Sequence, residues 1–337
     1  MKKFSGLFAI SIILVLAACG GGNGKASGDG GSGEKSENET VTIGYFPNLN
    51  HAPAMVAKQK EMYKDHLGEN VNIDYQTFPD GATFMKALAA GEIQGGLVGP
   101  GPAMNSFISG VEAQIIGASS TGGTVIVSRD GSGIKSWEDV EGKTFISPRV
   151  GCTHNVQFET YMKEKGITSE RVGGSMTHVT GEPARYQSMF ENGDVDVATA
   201  PEPWASVMEK EVNANVVIPT SEVSFGKTLP AAVMVTSDDM IENNSEQVQK
   251  LVDAHKEAVQ YINDNPDEAI DITIEGIADI TDQQLEKSVM ENAWKRTNFT
   301  YDVDPEVIQE FGNSSHDLQF LKEKPNFEGF VNTSFVE

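Results

Sequence analysis

Two stretches of the chain repeat one order of elements, and this repeat constrains the fold more than any other feature. They run from Val41 to about Ser109 and from Lys143 to about Lys210. In the first, an apolar strand (Val41 to Tyr45) meets Pro47, the loop Asn48-Leu49-Asn50-His51 and a helix starting near Ala52. In the second, Lys143 to Ser147 meets Pro148, the loop Arg149 to His154 and a helix starting near Asn155. A second strand follows in each. Val71, Ile73 and Tyr75 alternate with polar residues at the period of a half-buried strand, and Ser175 to Val179 is the counterpart. Both strands end in a glycine turn, Asp80-Gly81-Ala82 or Thr180-Gly181-Glu182-Pro183, ahead of a short helix (Phe84 to Ala90; Ala184 to Glu191). Gly91 and Gly193 stop those helices, because glycine enters the left-handed conformation that closes a helix. A third apolar strand leads to Pro100-Gly101-Pro102-Ala103 or Pro201-Glu202-Pro203-Trp204, where proline suits a first helical turn.

Each half therefore reads β-α-β-α-β-α, the pattern of a mostly parallel sheet flanked by helices. Such sheets bind ligands outside the carboxyl ends of their strands, so two copies facing each other make two rims and a cleft. The expected architecture is a two-lobed α/β protein, with residues 41–127 plus 231–337 in lobe 1 and 128–230 in lobe 2. Ala231 to Thr236 is the apolar strand that returns the chain to lobe 1. The tail is helical: Val248, Leu251, Val252, His255, Val259 and Ile262 recur at helical spacing, and Pro266, Asp282 and Pro305 mark helix starts. It carries no motif with chemistry and is read as packing on lobe 1.

The N-terminus reads as a sorting signal. Lys2 and Lys3 precede an apolar run from Phe4 to Ala18, too short to span a membrane as a helix. Leu16-Ala17-Ala18-Cys19 resembles the bacterial lipobox, in which the cysteine is lipidated and becomes the first residue. That makes 1–18 a signal peptide and 19–40 a lipidated Cys19 with a flexible linker, rich in Gly, Ser and charge. As a random coil the 21 residues after Cys19 reach roughly 25 Å. Cys152 is the only other cysteine, so with Cys19 lipidated no intramolecular disulfide forms. Asp and Glu total 49 against 25 Lys and Arg; without Lys2 and Lys3 the formal charge moves from −24 to −26. Such acidity argues against nucleic acid and against a polybasic membrane contact.

Several motifs in this frame resemble the solute-binding proteins of the ABC sulfonate/nitrate/taurine importer family. They are Tyr45-Phe46-Pro47-Asn48, Gly91-Glu92-Ile93, Gly99-Pro100, the stretch Ile134 to Lys143 and Pro201-Glu202-Pro203-Trp204. The likeness runs from about Val41 to Asn265. It implies a type II binding-protein fold with two hinge crossings, near Val127 to Lys143 and near Phe225 to Ala231. It also implies a small-molecule ligand held between the lobes, delivery to the transmembrane subunits of an ABC permease, and an extracytoplasmic protein anchored by the lipid on Cys19. No cofactor, metal or enzymatic turnover is expected, and a monomer is.

Carried over by motif, the ligand residues expected from lobe 1 are Asn48, Leu49, Asn50, His51, Asp80, Gly81, Gly99, Pro100 and Gly101, joined by Gly123 and Thr124. From lobe 2 they are Arg149, Cys152, Thr153, His154, Asn155, His178, Thr180, Glu202 and Trp204. Most lie at loop-to-helix junctions, where free N–H groups and the helix dipole favour an anion. Arg149 is the sharpest anion candidate, because a guanidinium holds two oxygens at once, against the plainer reading of a surface arginine. Thr153 and Asn155 either cap a helix or touch ligand. Trp204 is either an apolar wall for the ligand or core packing. Glu202 either takes a ligand amine or bonds Arg149 or backbone. The leading ligand is an aliphatic sulfonate or taurine-like anion. The alternative is a neutral heteroaromatic, such as a thiamine-precursor pyrimidine, stacked on Trp204 and bonded to Glu202. A weaker reading places a transition metal on His51, His154, His178 and Glu202. Cys152 near His154 brings a cysteine hydrolase to mind, but no third orienting group is evident.

Overall fold

The computed structural model describes residues 39–337. The expected signal peptide, Cys19 and nearly all of the expected linker lie outside the described residues. The first strand, β1 (Glu39–Tyr45), begins two residues ahead of the expected Val41. It is followed by α1 (Ala52–Gln59), α2 (Met62–Leu67), β2 (Val71–Thr77), α3 (Gly81–Ala89), β3 (Gly95–Val98), α4 (Pro100–Ile108) and β4 (Ala113–Gly122). The chain then enters a second sheet with β5 (Thr124–Ser128), β6 (Thr144–Ser147), α5 (Thr153–Glu164), β7 (Thr177–Thr180), α6 (Tyr186–Asn192), β8 (Val197–Pro201), α7 (Trp204–Glu211) and β9 (Asn215–Ile218). It returns through β10 (Pro230–Ser237) and continues with α8 (Asp238–Asn243), α9 (Ser245–Asp264), α10 (Pro266–Thr281), α11 (Lys287–Trp294), β11 (Thr297–Phe299) and α12 (Pro305–Asp317).

The repeat read from sequence is real in three dimensions. In lobe 1, β1 pairs in parallel with both β2 and β3; in lobe 2, β6 pairs in parallel with both β7 and β8. The sheet orders are β11-β4-β10-β3-β1-β2 and β7-β6-β8-β5-β9. Each lobe also holds an antiparallel intruder at the point where the chain arrives from the other lobe. That strand is β5 in lobe 2, antiparallel to β8 and β9, and β10 in lobe 1, antiparallel to β3 and β4. A strand entering from across the cleft meets the sheet at its carboxyl edge and so runs backwards through it.

Both sheets are covered on two faces, which explains their near-continuous apolar strands. In β5 the side chains alternate between faces: Val125 and Val127 pack with α6 and α7, and Ile126 with Phe158 and Met162 of α5. In lobe 1, α1, α2, α9 and α10 cover one face, and α3, α4 and α12 the other. The tail reading holds for α9, whose Val248, Leu251, Val252, His255, Val259 and Ile262 are all buried. It fails at Asp282, which does not start a helix. Asp282 ends α10 in a left-handed conformation (φ +57°), a conformation that Asp tolerates better than most residues.

The crossings lie elsewhere than the resemblance implied. The first is at Gly122–Gly123, between β4 and β5, and the whole of β5 already belongs to the second sheet. Both glycines have positive φ (+81° and +69°). A Cβ on Gly122 would lie 2.4 Å from the Arg296 carbonyl oxygen, and one on Gly123 2.6 Å from Asn50 Oδ1. The second crossing occupies residues 219–229, a longer span than the expected Phe225 to Ala231.

Candidate functional site

The cleft between the sheets contains a cavity of about 520 Å³ with walls from both lobes. Of the residues picked from sequence, Asn48, Asn50, His51, Asp80, Gly81 and Gly99 line it from lobe 1, and Cys152, Thr153, His154 and Trp204 from lobe 2. Sequence reasoning missed Phe46 and Phe78, which form an aromatic wall with His51, and Ile280, Thr281 and Gln283 at the end of α10. Phe46 stood inside a quoted motif. The α10 residues gave no signal at all, because that helix reads as ordinary packing.

Local chemistry explains how the walls are held. Asn48 caps the short turn Leu49–His51, its Oδ1 accepting from the Asn50 amide. Asn50 is fixed in turn by Ser120, whose Oγ donates to Asn50 Oδ1, and by Ser119, whose Oγ donates to its carbonyl. Trp204 is nearly buried and donates its indole N–H to the Pro47 carbonyl across the lobes at 3.1 Å, so it is both wall and interlobe contact. The starts of α4 and α5 meet head to head: the Gly101 amide donates to Thr153 Oγ1 at 3.1 Å, and Asn105 Nδ2 to the Gly151 carbonyl. Only glycine permits this approach, since a Cβ at Gly99 would sit 2.5 Å from Thr153 Oγ1.

Other residues expected at the ligand do not line the cavity. Leu49 is buried in the lobe 1 core and contributes its amide, which donates to the Glu202 carbonyl. Pro100 and Gly101 form the α4 contact just described and do not line the cavity, and neither do Gly123 and Thr124. Thr124 is buried and donates to Gln157 Oε1. Asn155 is structural: its Oδ1 accepts from the Gly151 amide and its Nδ2 donates to Glu159. His178 stacks flat on Phe145 at 4.4 Å and pairs with Ser147 Oγ, away from the cavity, while Thr180 is exposed at the end of β7. Arg149 does not reach the cavity. Its half-exposed guanidinium bonds Asp80 Oδ2 at 2.8 Å, tying one lobe to the other. Glu202 is fully buried, does not line the cavity and bonds backbone and not Arg149. Arg296 Nη1 donates to its Oε1 at 2.8 Å and the Ser206 amide to its Oε2, while burial pushes the carboxyl pKa up.

The expected anion sites at the starts of α3 and α4 are filled by the protein itself. Asp80 caps α3 by accepting from the Ala82 and Thr83 amides. Pro100 and Pro102 bring no N–H to α4, whose Gly101 amide is given to Thr153. At the start of α5, Cys152 makes no side-chain capping hydrogen bond, and burial raises its thiol pKa. Among the described residues Arg185 is the one arginine that lines the cavity; it stands exposed at the rim and pairs with Glu182 at 3.2 Å. The four metal candidates do not assemble, and no metal-holding group of three or more His, Cys, Asp or Glu occurs among the described residues.

Two α/β lobes, two crossings and a cavity shared between them define a protein of the two-lobed periplasmic binding type. The fold matches the alkanesulfonate-binding protein SsuA from Xanthomonas axonopodis pv. citri bound to MOPS, with a TM-score of 0.74 at 17% identity, over 89% of this chain and 100% of that one. The model of the NMT1-like family matches residues 34–278, and the chain belongs to that family. Its relatives include a protein of Bacillus subtilis (strain 168) named "Putative aliphatic sulfonates-binding protein", 23% identical over 293 residues, 85% of this chain and 84% of the relative. Another is the taurine-binding periplasmic protein of Escherichia coli (strain K12), 26% identical over 230 residues, 67% of this chain and 68% of the relative. Each is named as a binding protein and none as an enzyme.

Proposed function

We propose that this chain is the substrate-binding component of an ABC importer, which captures a small organic solute between its lobes and presents it to a permease. The observation that carries the reading is the cavity of about 520 Å³ walled by both lobes. A solute seated there touches both halves, so it binds the closed arrangement better than any open one and shifts the population towards it. We place the protein outside the cytoplasmic membrane, held by a lipid on Cys19. The support is the sequence of the first 19 residues, with their positive start, apolar run and small residues before the cysteine.

For the solute, an organic sulfonate of the aliphatic or taurine class is the first choice. It rests on the names of the relatives and on a cavity that offers polar and aromatic walls together. One observation favours a flat neutral heterocycle as the second choice: Phe46, Phe78, His51 and Trp204 surround the cavity, while its lining offers one rim cation. Glu202 is spent on Arg296, so this second solute would find its hydrogen bonds elsewhere.

A thermal-shift panel tests the reading. At 100 times its Kd, a ligand specific to the folded state adds about 2.7 kcal/mol of stability, a rise in Tm of several degrees. Taurine and ethanesulfonate are expected to give such a rise. A rise with heteroaromatics alone moves the protein to the second class, and no rise with either class sinks both. Separately, Cys19→Ala is expected to release the protein from the membrane fraction.

A further inference from the structure

Among the residues that line the cavity, two leave a buried polar side-chain atom with no hydrogen-bond partner. They are His51, at Nδ1, and His154, at Nε2. One belongs to each lobe. His51 closes the turn after Asn48, with its ring held against Phe46 at 5.1 Å, and His154 sits in the first turn of α5. They are near enough for a charge on one to be felt at the other. An unpaired buried polar atom works against folding, so two of them on rings that line one cavity mark a place completed from outside.

The charges around them are already matched. Asp80 is held by Arg149 and by the α3 amides, and Glu182 and Arg185 pair at the rim. The Cys152 thiol is kept protonated by burial. Among the described residues no carboxylate is free to hold an imidazolium in the cavity. Burial lowers the His51 pKa to about 3 and that of His154 to about 4. Both rings are therefore neutral at ordinary pH, each carrying one N–H and one lone pair.

Resting on the solute-binding reading above, we propose that His51 and His154 form a clamp across the cleft that grips the polar head of the solute by neutral imidazole N–H groups. The clamp selects a head with at least two acceptor oxygens, one for each lobe, and it takes the part that the sequence offered to Arg149. It also ties recognition to closure, because the second bond forms only when the lobes meet.

Isothermal titration of the protein with taurine and ethanesulfonate tests this. His51→Ala and His154→Ala are each expected to lower affinity tenfold or more, His154→Gln to regain part of it, and Arg149→Ala to change it less than about fivefold. An unchanged melting temperature shows that the variants fold. Affinity is also expected to stay flat from pH 8 to pH 5.5. Wild-type affinity in either alanine variant, or a tenfold gain on acidification across that range, overturns the clamp. If neither sulfonate binds the wild type, the ligand class of the previous section fails and the clamp is judged without ligand. NMR of the ring nitrogens then decides: two imidazoles that stay neutral down to pH 5.5 support it, and one that takes up a proton above that pH overturns it.

Discussion

Side chains with the most chemistry in the sequence turn out to be the ones the fold consumes. Arg149 and Glu202 looked like ligand groups because each stands at the start of a helix beside the cleft. What the sequence hides is their partners, which lie far along the chain. Arg149 meets Asp80, and Glu202 meets Arg296, a residue of the tail that gave no signal. The buried pair is expected to matter for folding. Arg296→Met leaves Glu202 and Glu209 without their shared cation and should lower stability by about 3–5 kcal/mol, read as a fall in the urea midpoint. Arg149→Ala should cost less than about 1 kcal/mol, as a half-exposed pair does. By contrast Asn48, His51, Cys152 and His154 were legible from position alone, since a loop leaving the carboxyl end of a strand has few other places to go.

At the level of elements, the repeat located the parallel strands well and the crossing poorly. Glycine stops, proline starts and two-residue alternation located β1 to β3 and β6 to β8, because each is a local signal. The crossing leaves no such trace. From Ala113 to Ser128 the chain is strand except at Gly123, and no proline or charged residue marks the change of sheet. The polar, glycine-bearing stretch after Ser128 resembles a hinge more closely, yet it is a loop within lobe 2. The positive φ at both glycines carries a prediction. Gly123→Ala puts a side chain into a left-handed residue and against Asn50 Oδ1, so it should destabilise the protein by about 1–3 kcal/mol. A denaturation midpoint equal to that of the wild type would show that the crossing relaxes freely. The α10 end was missed at this scale too: a helix can reach a site by tertiary packing with no periodic or motif signal.

For the molecule as a whole, the histidines set an acid limit. His51, His154 and His255 are driven by burial to about 3, 4 and 4, below the ordinary 6.5. Unfolding lets them take up protons, so between pH 6.5 and about 4 the unfolded chain binds more protons than the native one and stability falls with pH. Above pH 6.5 these groups contribute no slope. At pH 5 the loss is about 2 kcal/mol for each, which urea titrations at pH 7.5 and 5.0 would record. The same global view gives meaning to the place of β10. That strand lies between β4 and β3, in the middle of the first sheet, yet it is made only after the whole of the second lobe. A growing chain that has emerged as far as residue 229 holds every strand of one lobe, while the other stands split down its centre with two bare, unpaired edges. Until the next eight residues arrive and fill the slit, the older half of the protein waits on the younger.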